Sequence, residues 1–114
     1  MLYHEGDSMT VNFIQERITN LRLQKGVSEY QMSYDLGHSR GYINNISSGK
    51  ALPSMSEFLA ICEYFEVTPM TFFDESITSP VLIQKAIDGL RKLSENDLIL
   101  LLNLINRLNE NSFQ

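Results

Sequence analysis

An all-α fold is predicted for this chain: five helices followed by two additional C-terminal ones. Three observations predict it. Apolar residues recur at three- and four-residue spacing, as in Ile14, Ile18 and Leu21 or Phe58, Ile61, Cys62 and Phe65. No alternating run is long enough for a strand, and no internal repeat or low-complexity tract is present. The periodic segments also carry helix punctuation, with Ser, Thr or Pro at their starts and Gly at several of their ends. A chain of 114 residues, 43% of them hydrophobic, suffices for one real core. The expected organisation is therefore one compact unit over residues 10–75 and a helical extension over residues 76–114.

The first helix is expected from Asn12 to Lys25. Ile14, Ile18 and Leu21 form its buried stripe, Asn12 and Gln15 have capping-box spacing, and Gly26 ends it. Ser28 can cap a second helix that begins at Glu29, with apolar Met32 and Leu36 flanking the small Ser33, and Gly37 supplies a left-handed stop. Ser39 is then placed to cap a third helix whose buried side is Ile43 and Ile46. Arg40, Tyr42, Asn44, Asn45 and Ser48 are left outward before Gly49 ends it. Two short helices around a glycine turn, the second carrying groups that can touch DNA, make a helix-turn-helix.

Ser54 and Glu57 have capping-box spacing for a fourth helix that turns Phe58, Ile61, Cys62 and Phe65 inward. Thr68 and Pro69 open a short fifth that closes near Phe73, since proline at the first helical position forfeits no hydrogen bond. Residues 74–79 read as a linker. Pro80 opens a sixth helix with Val81, Leu82, Ile83, Ala86, Ile87 and Leu90, locally weakened by Gly89. Ser94 caps a seventh, in which Leu98, Leu101, Ile105 and Leu108 have a/d-like spacing and Ile99, Leu100, Leu102 and Leu104 widen the stripe. Two such helices cannot hide that surface between themselves. They pack on the preceding core or on a second copy, and the width of the apolar surface favours a homodimer, with Leu98, Leu101, Ile105 and Leu108 as dimerisation residues.

The succession of the first helix, SEYQMSYDLGHSRGYINNISSGKALPS, and a helix closed by YFEVTPMTFF resembles the lambda-repressor-like (Cro-like, Xre-type) regulators of bacteria and phages, from Phe13 to Phe73. The resemblance implies a five-helix DNA-binding bundle, sequence-specific binding of double-stranded DNA as a dimer, and repression of transcription. Its base readers fall on Arg40, Gly41 and Asn45, with Asn44 beside them. Arginine can give a bidentate pair to guanine and asparagine one to adenine, whereas Gly41 only permits close approach. The backbone contacts fall on Ser28, Glu29, Tyr42, Ser48 and Lys50, with Arg22 as a further candidate. Two positions depart from the family. Glu29 stands where a phosphate-bonding glutamine is common, so its charge should oppose DNA. Ser47 stands where a glutamate commonly faces the helix-one arginine, here Arg22.

Composition excludes other classes. A single cysteine, Cys62, cannot form an intramolecular disulfide and is expected in the core, and two histidines far apart give no metal-ligand spacing. No cofactor, metal or small-molecule ligand is indicated. His38 reads as a partly exposed turn residue and not as a pH sensor. No nucleophile with a base and no glycine-rich phosphate loop can be assembled, so an enzyme is not expected. The first residues carry acids and no signal-like apolar run, and Leu98 to Leu102 is far short of a membrane span, so the expected location is cytoplasmic. The net charge of −5 argues against nucleic acid, but many acids lie after residue 50 while Arg22, Lys25, Arg40 and Lys50 flank the helix-turn-helix. The competing reading is a protein-interaction module with a degenerate helix-turn-helix, such as a partner-binding antitoxin-like protein.

Overall fold

The computed structural model describes residues 11–111, which form seven α-helices and, among the described residues, no strand. The helices are α1 (Val11–Lys25), α2 (Glu29–Asp35), α3 (Tyr42–Ser47), α4 (Met55–Phe65), α5 (Pro69–Phe72), α6 (Pro80–Leu90) and α7 (Glu95–Asn111).

Most of the expected starts are built as the sequence implies. Ser28 Oγ accepts the Gln31 N–H at 2.9 Å. At α4 the Glu57 N–H donates to Ser54 Oγ (3.2 Å) while the Ser54 N–H donates to the Glu57 carboxylate (2.8 Å), a complete capping box. Thr68 caps α5 ahead of Pro69, and Ser94 Oγ accepts the Asp97 N–H at 3.2 Å. Each such cap satisfies a donor that the helix itself leaves unpaired.

Two starts differ. α1 already includes Val11, so Asn12 lies inside the helix and cannot cap it; the Gln15 amide instead reaches the Ala51 carbonyl at 3.5 Å. α3 begins at Tyr42, with Gly41 as its uncapped N-cap residue. Ser39 offers its backbone carbonyl to the Tyr42 N–H (3.0 Å) and caps nothing with its side chain, so Arg40 and Gly41 belong to the turn and not to the helix.

The core is continuous from α1 to α5. Ile18, Leu21, Met32, Ile43, Ile46, Phe58, Ile61, Cys62, Phe65, Val67 and Phe72 are all buried. Phe72 is its centre, with no exposure and edge-on contacts to Phe13 (6.4 Å) and Phe58 (4.9 Å). Burial pushes the Cys62 thiol up to about 11, consistent with a packing role.

A polar clamp closes the bundle. Arg17, on the flank of the α1 stripe, donates from Nε to the Phe72 carbonyl (2.9 Å), from Nη1 to that of Ile77 (2.8 Å) and from Nη2 to that of Asp74. It thereby ties α1 to the segment leaving α5. Gln84 does the same for α6: buried, it accepts from the Thr68 N–H (3.3 Å) and the Thr71 hydroxyl (3.0 Å) and donates to Asp88 (3.0 Å). The docked face of α6 thus centres on a glutamine, while the apolar Leu82 and Ile83 are exposed. Gly89 does not interrupt α6.

α7 is different in kind. Leu98 and Leu101 are half-buried, but Ile99, Leu100, Leu102, Leu104, Ile105 and Leu108 are exposed. The radius of gyration, 17.4 Å, well exceeds the roughly 13 Å of a compact domain of this size. Extents of 48 × 35 × 27 Å describe an elongated molecule.

Arg17→Leu would remove three hydrogen bonds from a charged donor, one of them buried, and is expected to cost about 3 kcal/mol. Denaturant unfolding checks this, and a variant within about 0.5 kcal/mol of the parent would mean that the clamp is dispensable.

Candidate nucleic-acid interface

Three short-range features fix α2 and α3 against one another. Gly37 ends α2 at φ +76°, a left-handed conformation in which a side chain would be strained. The Gly37 N–H then reaches the Tyr34 carbonyl and the His38 N–H the Ser33 carbonyl, each at 2.9 Å, which closes a Schellman turn. Ser33 itself is wholly buried; its hydroxyl donates to the Glu29 carbonyl (2.8 Å) and accepts the Ile43 N–H (3.1 Å). Lacking a side-chain cap of its own, α3 is capped from α2. Ile43 and Ile46 bury its inner face, and a second left-handed glycine, Gly49, ends it with the Lys50 N–H on the Asn45 carbonyl (2.9 Å).

The outer face then follows from the helical period. Asn44 and Asn45 project from α3 exposed, Arg40 and Gly41 are exposed in the turn before it, and Ser48 and Lys50 are exposed after it. Among the described residues neither Arg40 nor Lys50 is in an ion pair. A polar groove of about 580 Å³ between α1 and the end of α3 includes Ser47, Ser48 and Gly49. Ser28 is exposed at the start of α2, its hydroxyl engaged as the cap.

Three expected contact residues are otherwise engaged. Tyr42 is half-buried with its hydroxyl enclosed beside the Glu57 carboxylate and without a well-formed hydrogen bond; burial first, then Glu57, pushes the phenol up to about 12. Its ring stacks on His38 at 3.8 Å, and the His38 Nε2 lies 3.8 Å from Glu57. Arg22 donates from Nη1 to the Val27 carbonyl (2.8 Å), while its Nε is buried without a partner.

Glu29 turns along the protein. Its carboxylate accepts from the Ser47 hydroxyl and from the Asn44 amide (3.4 Å), within the field of Arg22. The Ser47 bond leads in holding this carboxyl below its usual range, with the Asn44 bond and Arg22 adding to it. The two departures from the family pattern thus answer one another, since the acid absent at position 47 is supplied from position 29. The other acid of α2, Asp35, accepts from the Tyr64 hydroxyl and the Gln31 amide, both at 2.7 Å. Both carboxylates of α2 are therefore engaged by side chains of the protein itself.

Sequence reasoning did not single out Tyr30, which is half-exposed and lies under Arg40, the guanidinium carbon being 5.4 Å from the ring centroid. Tyr30 and Tyr34, spaced one helical turn apart and both exposed, carried a signal that could have found them.

Glu29 gains its acceptor bonds only on folding, so its folded carboxyl titrates below its unfolded value. Its stabilisation is complete above the unfolded value and is lost as pH falls through the folded one. Glu29→Ala is expected to cost about 1–2 kcal/mol at neutral pH. The difference from the parent should shrink below about pH 4, and thermal melts across that range would contradict the assignment if the gap were constant.

A family model described as a helix-turn-helix domain matches residues 15–75, which run from within α1 to just beyond α5. No curated protein and no solved structure matches the chain. Among the described residues no helix is long and apolar enough to cross a membrane, and no group of three or more potential metal ligands is found. With its Schellman turn, its buried Ser33 and its exposed α3 in place, the chain belongs to the helix-turn-helix domain family, in the lambda-repressor-like form that its sequence resembles.

Proposed function

We propose that the chain is a sequence-specific regulator of transcription that binds double-stranded DNA as a homodimer, with α3 in the major groove, and represses by occupying its site. The observation that carries this reading is the composition of the exposed face: Arg40 and Lys50, which among the described residues are in no ion pair, and two exposed asparagines, with the acids of α2 bonded within the protein. Arg40 and Asn45 present the groups that recognise guanine and adenine edges, and Asn44 stands beside them, held by Glu29. Gly41 lets the backbone approach. Ser28, Ser48 and Lys50 are the phosphate contacts that set register, and Arg22 and Tyr42 support the face from beneath.

The dimer is assigned to α7 with α6. Leu98 to Leu102 are consecutive apolar residues that point to every side of a helix, and such a helix needs cover all round. Leu82, Ile83, Leu93, Ile99, Leu100, Leu102, Leu104, Ile105 and Leu108, each 38–69% exposed, present apolar surface on the order of the 800 Å² per partner of a standard interface. A two-fold dimer places its half-sites about 10 bp apart or at a multiple of that spacing.

Selection of bound duplexes from a random pool tests the reading directly. On the selected site, Arg40→Ala and Asn45→Ala are each expected to cost about 1–3 kcal/mol and to relax discrimination at one base position, whereas Lys50→Ala should weaken all duplexes alike. Arg40→Ala with intact preference would overturn the reading face. For the dimer, Leu101→Asp with Ile105→Asp should give a folded monomer in sedimentation and lower affinity for a two-half-site duplex by at least about 100-fold. A variant that still sediments as a dimer would remove α7 from the interface.

A further inference from the structure

Tyr30 is exposed and belongs to no part of the core, and the Arg40 guanidinium lies over its ring at 5.4 Å. Arg40 needs such a partner. It sits in the turn ahead of α3, not on the helix, so helical geometry does not direct its side chain. Among the described residues no acid pairs with it. A small hollow of about 240 Å³ lined by Tyr30, Tyr34, His38 and Arg40 surrounds the guanidinium. The nearby acids are committed elsewhere: Glu29 to Ser47 and Asn44, Asp35 to Tyr64 and Gln31, and Glu57 to the α4 cap.

We propose that Tyr30 is the positioning residue for Arg40, holding its guanidinium over an aromatic face so that it meets the base edge already oriented. The inference rests on the proposed base-reading role of Arg40. Its chemistry follows from the shape of the group. A guanidinium is attracted to an aromatic ring through its face, while its donors lie in the plane and point outward, so stacking leaves the fork free for the O6 and N7 of guanine. A free arginine would lose its rotamer freedom on binding, and the stack removes part of that loss beforehand. An acid in place of the ring would orient Arg40 equally well but would occupy the same donors. Position 30 therefore influences which base is read without contacting it.

The test uses the 114-residue chain and the duplex it selects from a random pool, compared with the same duplex carrying each other base at the position that Arg40→Ala relaxes. Tyr30→Ala is expected to reduce discrimination at that position by about three- to fivefold, the scale of an exposed cation–π contact, with affinity for an unrelated duplex unchanged. Tyr30→Phe keeps the ring and should retain the discrimination. In an Arg40→Ala background, Tyr30→Ala should have no further effect on it. Circular dichroism melts would verify that each variant is folded.

If Tyr30→Ala keeps full discrimination, or weakens all duplexes equally, the positioning role is overturned while the DNA reading stands. If Tyr30→Phe behaves like Tyr30→Ala, the hydroxyl and not the ring is what counts, and the proposal is likewise overturned. A parent chain that selects no sequence overturns the DNA reading itself, and this inference with it.

Discussion

One buried serine sets the geometry on which the exposed face depends. Ser33 ties three things together: its hydroxyl hydrogen goes to the Glu29 carbonyl one turn back, its lone pair takes the Ile43 N–H, and its own carbonyl receives the His38 N–H from the turn. A serine inside a helix ordinarily spends its hydroxyl on the preceding turn. Here the same group also supplies the cap that Gly41 cannot give to α3. A larger side chain at this wholly buried position would push the helices apart, and alanine would leave an N–H of α3 without a partner.

The elements that were legible in the sequence are those fixed by local chemistry. The Ser28 cap, the Ser54–Glu57 box, Thr68–Pro69 and the glycine at position 37 each act within a few residues, and each is built as expected. The misreadings were also local in origin. Asn12 and Ser39 carry the right side chains for a cap, but α1 extends past the first, and the second is passed over by a turn that delays α3 to Tyr42. What the sequence could not disclose was long-range polar pairing within the chain. Arg17 reaches carbonyls some 60 positions away, Gln84 crosses from α6 to α5, and Glu29 crosses from α2 to Ser47. Periodicity reports which side of a helix faces inward and is silent on which polar group will find its partner there.

Charge makes the same point for the exposed face. The chain carries a formal −5, a poor endowment for contact with a polyanion. The total is silent on where each carboxylate is held. Glu29 and Asp35 lie on α2 beside the face yet are bonded to Ser47, Asn44, Tyr64 and Gln31, and both titrate below their ordinary range because of those bonds. Arg40, by contrast, rests on a ring, which orders a cation without cancelling it.

The strict division of α3 into Ile43 and Ile46 inside, and Asn44 and Asn45 outside, bears on how such a protein can change over time. The inner pair belongs to the core, and the outer pair makes no contribution to it. Arg40 and Gly41 stand outside the helix altogether, so they too can vary without cost to its formation. On the proposed reading, a lineage carrying this scaffold can therefore drift from one binding site to another through single exchanges at Arg40, Gly41 and Asn45, whereas Asn44 is also tied to Glu29. Recognition, so read, is evolvable in a way that the bundle beneath it is not.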